Sequence, residues 1–527
     1  MKNLYICLVA FVLMVFYSCY KDEGNYDYMS EDQVGIIEID TVGNTDRFVF
    51  VRTYNPGDTI RMAPRVKYDY PENLKYAWFT YPYPYQAVQV GNAMVFPKAD
   101  TIARTLEVEW VVNYEPGWYN TAFLVTDTVR GVSAQMTFSY FRVNKPGARS
   151  GVYILSEYNG QSDIDFYTSQ LCLIYGGDNL IPNYYSNTSR KGMLPGKPLF
   201  ISYGKGHYYV FTEEGGYRLN EAGLELMEEW GQMFYDVPSY KPQALKYINK
   251  CEFLINDGKL HVLYTNKTND RKFSAPIGGN YKAATFLTDR TRTSYGAVAG
   301  AINADQVIFD SKSLGFRPYF AMATEVSEFM NTVPDAYIDA KRLPSTPLAI
   351  VGAEGGKTYA IVEDEGKPYL YILNFYNVID DGDLSGNGIN SVIDLSDCKD
   401  ILNLKYIDAN LFGTAFFYAT DKGVYSFTPS SGQTDEATIY ECGVDEEVTC
   451  VSIFAGHAGG GFPTAGAVLW IGVWNETTKT GKLVEFEIDA YSGLPRRQWG
   501  SMFAPTHSNP HITTGFGKIK SIATMFL

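Results

Sequence analysis

The amino-acid sequence predicts an all-β protein with a β-sandwich near its N terminus and a β-propeller in the remainder. Short runs that alternate polar and apolar residues fill positions 35–143, as in sheets with one buried face. From position 151 onward, paired strand-like runs recur at intervals of roughly fifty residues, a spacing typical of propeller blades. The composition agrees, because 46% of the 527 residues are hydrophobic and only 20% are charged, which excludes a disordered chain.

The N terminus predicts an export signal that ends in a lipid anchor. Positions 1–18 hold a basic residue, a short apolar run and then Ser18 directly before Cys19. This order is typical of a secretory signal peptide, and the run is shorter than the roughly 20 residues that a membrane span needs. A cysteine at the cleavage point indicates a bacterial lipoprotein in which the Cys19 thiol is acylated. A plain signal peptide with an incidental cysteine is the alternative.

A polar tether, residues 19–34, follows the signal. Close after Cys19 it holds Lys21-Asp22-Glu23, and Asp27 adds a further acid. This order resembles the export signal found close after the cysteine in surface-exposed lipoproteins of Bacteroidota. A multiply acylated cysteine stays in a membrane that a single chain would leave. The resemblance implies a lipoprotein of the outer membrane that faces the cell exterior, whereas the alternative is a tether that is merely polar and flexible.

Residues 35–143 carry the pattern of a β-sandwich. Asn55-Pro56-Gly57-Asp58 is a turn sequence, and Leu74–Phe79 is a core strand in which Trp78 is the large packing residue. A longer run, Trp118–Asp127, precedes another turn and strand. About 110 residues of such strands fit a two-sheet sandwich.

The chain is rich in aromatic residues, with 42 tyrosines. Three of them stand close together in the run Tyr81-Pro82-Tyr83-Pro84-Tyr85. Each proline removes a backbone donor, so this stretch cannot be a central strand. It is expected to be a loop or an edge that carries three rings. Such rings are either a stacking platform for sugars or peptides, or a structural aromatic edge.

Residues 144–150 form a linker rich in proline, glycine and basic residues, and residues 151–527 form the propeller-like domain. One clear unit is a hairpin with an Asp257-Gly258 turn. The last run, Ile519–Phe526, is expected to complete the first blade and close the ring. The repeat length predicts about seven blades and leaves six or eight as alternatives. A mixed β-sandwich assembly is the alternative to a propeller. A short helix is expected at Ala222–Phe234.

The strongest ligand-binding pattern is a loop that begins at Asp383. It places Asp383, Ser385 and Asn387 at the first, third and fifth positions, glycine at the sixth and Asp394 at the twelfth. This spacing lets one loop wrap oxygen ligands around calcium, although the last ligand is aspartate rather than the usual glutamate. An acidic surface loop that binds no metal is the alternative, and no other cofactor is expected.

Catalytic and nucleic-acid-binding patterns are missing from the sequence. The net charge of −15 argues against a nucleic-acid partner, because phosphate binding needs clustered Lys and Arg. No Gly-x-Ser-x-Gly, His-Glu-x-x-His or phosphate-loop motif occurs. The five histidines show no zinc-site spacing: His207, His261, His457, His507 and His511. The sequence therefore favours a protein without enzymatic activity, but leaves that question open.

Taken along the whole chain, the start Cys19–Tyr28, the sandwich with its central Trp78 strand and the propeller-like remainder resemble the PKD-like lipoproteins of Bacteroidota. The resemblance implies a surface accessory of a SusC/SusD-type, TonB-dependent system that imports oligopeptides or oligosaccharides. It implies ligand capture or complex assembly, with the transporter components as partners. The resemblance does not identify any binding residue in this sequence. The alternative is a surface hydrolase or lyase on a propeller scaffold.

Overall fold

The computed structural model describes residues 35–40, 53–54, 57–86, 88–90, 93–95, 98–138, 140–143, 151–169, 171, 179–248, 251–265, 271–287, 305–320, 322–329, 340–354, 357–374, 389–410, 412–430, 433–454, 466–496 and 510–525. The chain divides into two compact units, one of residues 1–50 and 57–143 and one of residues 51–56 and 144–527. Within the described ranges, no helix combines the length and the apolar character that a membrane crossing requires. Both units are built from β-strands, as predicted.

The strands up to residue 143 are short, with two exceptions. They are β1 (Glu38–Asp40), β2 (Thr53–Tyr54), β3 (Thr59–Met62), β4 (Arg65–Lys67), β5 (Leu74–Pro82), β6 (Val88–Val90), β7 (Ala93–Val95), β8 (Asp100–Ala103), β9 (Val108–Val111), β10 (Gly117–Asp127), β11 (Val132–Thr137) and β12 (Phe141–Val143). The long strands β5 and β10 pair antiparallel at the centre of the main sheet, which continues through β8 on one side and through β11 and β12 on the other.

The core of the first unit forms around Trp78 on β5, as the sequence predicted. Trp78 is fully buried, and its ring lies 4.4 Å from that of Phe123, its register partner on β10, and 5.7 Å from that of Phe138. The indole Nε1 donates a hydrogen bond to the carbonyl of Thr105 at 3.0 Å. Trp78 therefore fills the core without leaving its one polar atom unpaired.

The second unit contains most of the strands. They are β13 (Gly151–Tyr158), β14 (Gln161–Thr168), β15 (Asn179–Ile181), β16 (Pro198–Tyr203), β17 (His207–Thr212), β18 (Gly216–Asn220), β19 (Leu226–Glu229), β20 (Pro242–Ile248), β21 (Cys251–Asn256), β22 (Lys259–Tyr264), β23 (Gln306–Asp310), β24 (Gly315–Tyr319), β25 (Ala349–Gly352), β26 (Lys357–Asp364), β27 (Lys367–Asn374), β28 (Ile389–Asp394), β29 (Tyr406–Ala409), β30 (Phe416–Thr420), β31 (Gly423–Ser430), β32 (Gln433–Glu441), β33 (Glu446–Ile453), β34 (Val468–Asn475), β35 (Thr480–Glu487), β36 (His511–Phe516) and β37 (Lys518–Met525).

Helical structure is limited in the described part of the chain. One α-helix, α1 (Tyr184–Ser189), follows β15, and three short 3-10 turns occur at Pro71–Asn73, Trp230–Gln232 and Ile401–Asn403. The helix that the sequence predicted at Ala222–Phe234 is wrong, because β19 and a 3-10 turn occupy these positions. Strand β19 alternates half-buried and exposed residues along an edge of its sheet, so it carries too few apolar residues to show a clear strand pattern.

The strands of the second unit form antiparallel sheets that follow one another along the chain. In strand order, sheet 1 is β15-β14-β13-β37, sheet 2 is β16 to β19, sheet 3 is β20 to β22, sheet 4 is β23 and β24, sheet 5 is β25 to β28, sheet 6 is β29 to β32, and sheet 7 is β33 to β36. Sequential strands are neighbours in every sheet except at β37. The hairpin predicted around Asp257-Gly258 is confirmed as β21 and β22, and both turn residues have positive φ, the geometry of a tight hairpin.

Each of these sheets packs against two others, and the order is cyclic. Separate clusters of buried side chains lie between sheets 1 and 2, 2 and 3, 3 and 4, 4 and 5, 5 and 6, 6 and 7, and finally 7 and 1. The central strands therefore have two buried faces. On β17, Tyr208 and Val210 enter the cluster shared with sheet 1, whereas Tyr209 and Phe211 enter the one shared with sheet 3.

The C-terminal strand β37 joins the first sheet, as predicted. It pairs antiparallel with β13 from Gly151 opposite Met525 to Glu157 opposite Lys518. Ile519 of β37 is fully buried in the cluster between sheets 7 and 1. The last strand of the chain thus supplies both backbone pairing and core side chains to the first sheet.

Replacement of Ile519 by alanine is expected to destabilise the second unit by about 2–5 kcal/mol, because it leaves a cavity in a core that two sheets share. The matched control is Ile512→Ala on β36, where the side chain is 49% exposed and the expected change is within about 0.5 kcal/mol. Urea unfolding of both variants measures the difference. Equal midpoints for the two variants would contradict a closing core at β37.

Candidate functional site

A cavity of about 420 Å³ lies where the leading segments of the sheets meet. Its volume falls within the roughly 300–1,000 Å³ range of small-molecule sites. All seven sheets contribute to its wall, sheet 4 through the segment that precedes β23. The lining positions are 201–203, 244, 246, 285–287, 350–352, 408–409, 452–453 and 522–524, together with Trp470.

Polar and apolar groups both line the cavity, and its formal charges come from Lys246 on β20 and Asp408 on β29, both half-buried. The carboxylate of Asp408 is held in place by backbone donors. The N–H of Ile453 donates to Oδ2 at 2.7 Å, and the N–H of Ala409 donates to Oδ1 at 2.9 Å. These two bonds orient the carboxylate in the cavity wall.

Aromatic and hydroxyl groups complete the wall. The Tyr203 hydroxyl donates to Oε2 of Glu221 at 2.8 Å, and Nε1 of the buried Trp470 donates to Oε2 of Glu485 at 2.6 Å. The hydroxyl of Ser202 donates to the carbonyl of Leu245 at 2.9 Å. These bonds fix the side chains in one arrangement, so the wall is largely preformed.

Few titratable side chains line the cavity. Among the described residues that line it, Asp408 is the one carboxylate and no histidine is present. Most glycoside hydrolases use two carboxyl groups, one on either side of the bond that breaks. The described lining of the cavity does not hold such a pair.

A histidine and a glutamate do meet elsewhere, between sheets 2 and 3, but they are buried. His207 Nε2 lies 3.1 Å from Oε1 of Glu252, and neither side chain is more than 2% exposed. The Tyr209 hydroxyl donates to Oε2 of Glu252 at 2.6 Å, and the Lys205 N–H donates to Oε1 at 3.0 Å. Burial alone would raise the pKa of Glu252, but the contacts with His207, Tyr209 and Lys205 lower it below its usual range. The group joins two sheets and is closed to a substrate.

A second buried acid lies next to the helix α1. Asp165 on β14 accepts hydrogen bonds from the hydroxyls of Ser156 and Tyr158, both at 2.7 Å, and from the N–H of Asn183 at 2.9 Å. Burial raises the pKa of Asp165 to about 6, and these three hydrogen bonds oppose that rise. Asp163 lies on the same strand and adds to the rise by charge repulsion.

The site residues that the sequence predicted lie mostly outside the described ranges. Cys19 of the lipid anchor does so, as do Asp383, Ser385 and Asn387 of the calcium loop. Asp394, the last residue of that loop, is exposed at the end of β28. Hydrogen bonds from the side chain of Ser396 and from its N–H, the latter at 2.7 Å, lower the pKa of Asp394. The described residues contain no cluster of three or more His, Cys, Asp or Glu side chains that could hold a metal.

The tyrosine run begins inside the central strand β5, where Tyr81 and Pro82 pair with β10, so the prediction of a loop or edge is wrong for these two residues. Tyr83 stacks on Tyr140 with ring centroids 4.6 Å apart, and Trp118 meets Tyr140 edge-on at 5.3 Å. Tyr81 and Tyr85 form a separate pair at 5.0 Å. The rings therefore stabilise one another, which agrees with the structural alternative and leaves three ring surfaces partly exposed.

Sequence reasoning missed the two charged residues of the cavity. Lys246 and Asp408 each interrupt a short strand of apolar and aromatic residues, and that interruption is the one local signal of their role. Nothing in the sequence indicates that the two strands face one cavity, since they belong to sheets 3 and 6.

Comparison with known proteins supports the predicted PKD-like relationship for the N-terminal part of the chain. Residues 19–198 match the model of the PKD-like family. This match covers the first unit and extends into the first strands of the second. None of the curated proteins matches the chain.

Several solved structures show distant likeness. Apo AztD from Citrobacter koseri is 10% identical and has a TM-score of 0.35, with 85% of this chain and 100% of that chain covered. A DUF4784 family protein from Bacteroides caccae is 10% identical, with a TM-score of 0.27 and 86% and 93% coverage. The extracellular domain of the BT4673 hybrid two component system from B. thetaiotaomicron is 8% identical, with a TM-score of 0.34 and 70% and 56% coverage.

Replacement of Glu252 by alanine is expected to destabilise the second unit by about 3–5 kcal/mol, because it removes the carboxylate that lies 3.1 Å from the buried His207 and accepts the hydrogen bond of the Tyr209 hydroxyl. The control is Glu476→Ala, which breaks an ion pair with Lys479 in which both side chains are 63% exposed and should change little. Chemical unfolding measures both. A loss as small as that of the control would show that the buried pair is not stabilising.

The raised pKa of Asp165 predicts a pH dependence of stability with a defined sign. In the unfolded chain an aspartate titrates near pH 3.9, so between about pH 4 and about pH 6 the folded protein binds the proton more tightly. The stability that Asp165 contributes is therefore full below about pH 4 and is lost as the pH rises through about 6.

The measurement is the difference in unfolding midpoint between the wild type and Asp165→Asn across this range, and it should fall as the pH rises. Asp394→Asn is the control of opposite sign, because the lowered pKa of Asp394 makes its contribution grow with pH. A difference for Asp165→Asn that does not change with pH would contradict the prediction.

Proposed function

We propose that the second unit is a seven-bladed β-propeller and that the protein is a non-catalytic accessory lipoprotein of a SusC/SusD-type uptake system. The propeller is supported by the cyclic order of the sheets, by the seven shared cores and by the pairing of β37 with β13. In this fold the leading strand of each blade faces a central axis, which accounts for a cavity lined by every sheet.

The observation that carries the functional proposal is the make-up of that cavity. Its wall combines apolar and polar groups whose side chains are held by hydrogen bonds, it carries formal charges at Lys246 and Asp408, and its described lining includes no second acid or histidine. A rigid wall binds a ligand with little ordering of the protein, so recognition loses little entropy. Capture of a ligand, rather than its cleavage, is what such a wall supports.

The setting of the proposal comes from the N-terminal part of the chain. The match of residues 19–198 to the PKD-like family supports the resemblance to PKD-like surface lipoproteins. With Cys19 acylated and residues 19–34 as a tether, the two units would stand on the outer membrane facing the exterior. There the protein would bind the transporter barrel or its lid and present an oligopeptide or oligosaccharide to it. Calcium at the loop from Asp383 to Asp394 remains part of the proposal.

The test is affinity purification of the tagged lipoprotein from outer membranes, with Cys19→Ala as the matched control. The wild type should recover a TonB-dependent barrel or its lid protein, and the variant should lose both membrane localisation and the partner, because it lacks the anchor. The purified protein should leave peptide and glycan mixtures intact. Turnover that a single Asp408→Asn substitution abolishes would overturn the non-catalytic function in favour of a hydrolase or lyase.

A further inference from the structure

A groove of about 380 Å³ adjoins the cavity, lined by positions 199, 213, 240–243, 257–258 and 282. Strand β16 supplies Leu199 to the groove and Ile201 to the cavity, and β20 supplies Gln243 to the groove. The side-chain Nε2 of Gln243 donates to Oγ1 of Thr285, which lines the cavity, at 3.4 Å. The two spaces therefore meet at the side chains of Gln243 and Thr285.

The groove owes two of its wall residues to the same irregularity in neighbouring sheets. The pairing of β16 with β17 shifts register around Leu199, and the pairing of β20 with β21 shifts register around Gln243. In both strands a proline, which has no N–H to donate, directly precedes the shift. Such bulges re-aim a side chain and are over-represented next to active sites. Their repetition in sheets 2 and 3 marks the groove as a built feature.

The charged side chains of both spaces are already compensated. In the groove wall, Nζ of Lys241 lies 3.1 Å from Oδ1 of Asp257. In the cavity wall, Asp408 accepts two backbone N–H groups, and Lys246 also has an interaction within the protein. The other charged side chains of the groove wall are exposed to water, namely those of Glu213 and Lys282. A formal charge on a ligand would therefore gain little on entering.

We infer that the cavity and the groove together take a neutral oligosaccharide that spans both spaces, with its hydroxyl groups paired to the polar side chains around their junction. This inference rests on the proposed capture function and selects one ligand class for it. A hydroxyl group both donates and accepts hydrogen bonds, so it can pair with amide and hydroxyl side chains alike.

The polar groups around the junction are oriented but not saturated. The N–H of Gly258 donates to Oε1 of Gln243 at 2.6 Å, which fixes the amide. Its Nε2 has two N–H groups, and Thr285 takes one of them through a long bond, so a ligand oxygen can use the other. Among the described residues, none hydrogen-bonds to the hydroxyl of Ser452 or Thr524, both half-buried in the cavity wall.

Each space also holds an aromatic ring fixed by its own hydroxyl. In the groove, the Tyr240 hydroxyl donates to the carbonyl of Thr212 at 2.6 Å, and in the cavity the Tyr203 hydroxyl donates to Glu221. The rings offer flat apolar contact area to the C–H faces of sugar rings. Apolar area with a few placed polar groups is the usual composition of a small-molecule site.

The experiment is calorimetric titration of the mature, detergent-solubilised protein with neutral sugars of two lengths. The probes are maltose, maltohexaose, xylobiose and xylohexaose, with N-acetyl-trialanine amide as a neutral peptide and hexagalacturonic acid as an acidic sugar. At least one six-unit neutral sugar should bind about tenfold or more tightly than its two-unit counterpart, because only the longer chain fills both spaces. The peptide and the acidic sugar should bind more weakly than that six-unit sugar.

Two variants test the groove. Leu199→Trp fills it and should lower the affinity of the six-unit sugar to that of the two-unit sugar. Gln243→Ala removes the amide at the junction and should weaken the six-unit sugar by about tenfold. The matched controls are Leu402→Trp, at a side chain 42% exposed outside both spaces, and Gln232→Ala, whose exposed amide also accepts one backbone N–H. Both controls should bind like the wild type, and thermal unfolding of each variant checks that it is folded.

Failure of both six-unit neutral sugars to bind would overturn the inference, as would an advantage of length that survives in folded Leu199→Trp and Gln243→Ala. Tighter binding of the peptide or the acidic sugar would also overturn it, yet would leave the proposed capture function standing. Failure of that function would appear separately, as turnover of a polymer or as purification without a transporter component.

Discussion

Backbone pairing between β37 and β13 is the contact on which the second unit depends. Each core of this unit lies between two sheets, so no sheet buries both of its faces without its neighbours. The chain visits the sheets in order and reaches the first one again only at its end. Strand β37 is the leading strand of sheet 1, and its side chains also enter the core that sheet 1 shares with sheet 7. The ring of cores therefore closes through this one strand.

Polar contacts between neighbouring sheets add specificity to this closed arrangement. The buried His207 and Glu252 join sheets 2 and 3, and the carboxylate of Asp408 on sheet 6 accepts from the N–H of Ile453 on sheet 7. The Tyr359 hydroxyl of sheet 5 donates to the carbonyl of Thr414 beside sheet 6 at 3.2 Å. Buried polar groups lose free energy unless they are paired, so each contact disfavours a shifted packing of its two sheets.

The cavity is a consequence of the same closure. A ring of sheets that meet along their leading segments leaves a space whose wall is made of these segments. Hydrogen bonds hold several of the wall side chains in one arrangement, which suits recognition of a ligand by a few placed groups. The charged groups break the similarity of the sheets around this cavity, because Lys246 comes from sheet 3 alone and Asp408 from sheet 6 alone.

Local pattern predicted several strands and turns of this protein. The alternation around Trp78, the Asp257-Gly258 hairpin and the terminal strand at Ile519 all follow from interactions between residues near in sequence or from the repeat length. Strand β19 was mistaken for part of a helix, because an edge strand with one weakly apolar face carries little periodic signal. By itself, the sequence determined the all-β class, the repeating sheets and the PKD-like N-terminal part. Only the tertiary structure brought Lys246 and Asp408 to one cavity, because their meeting depends on how distant sheets close on each other, which no local periodicity encodes.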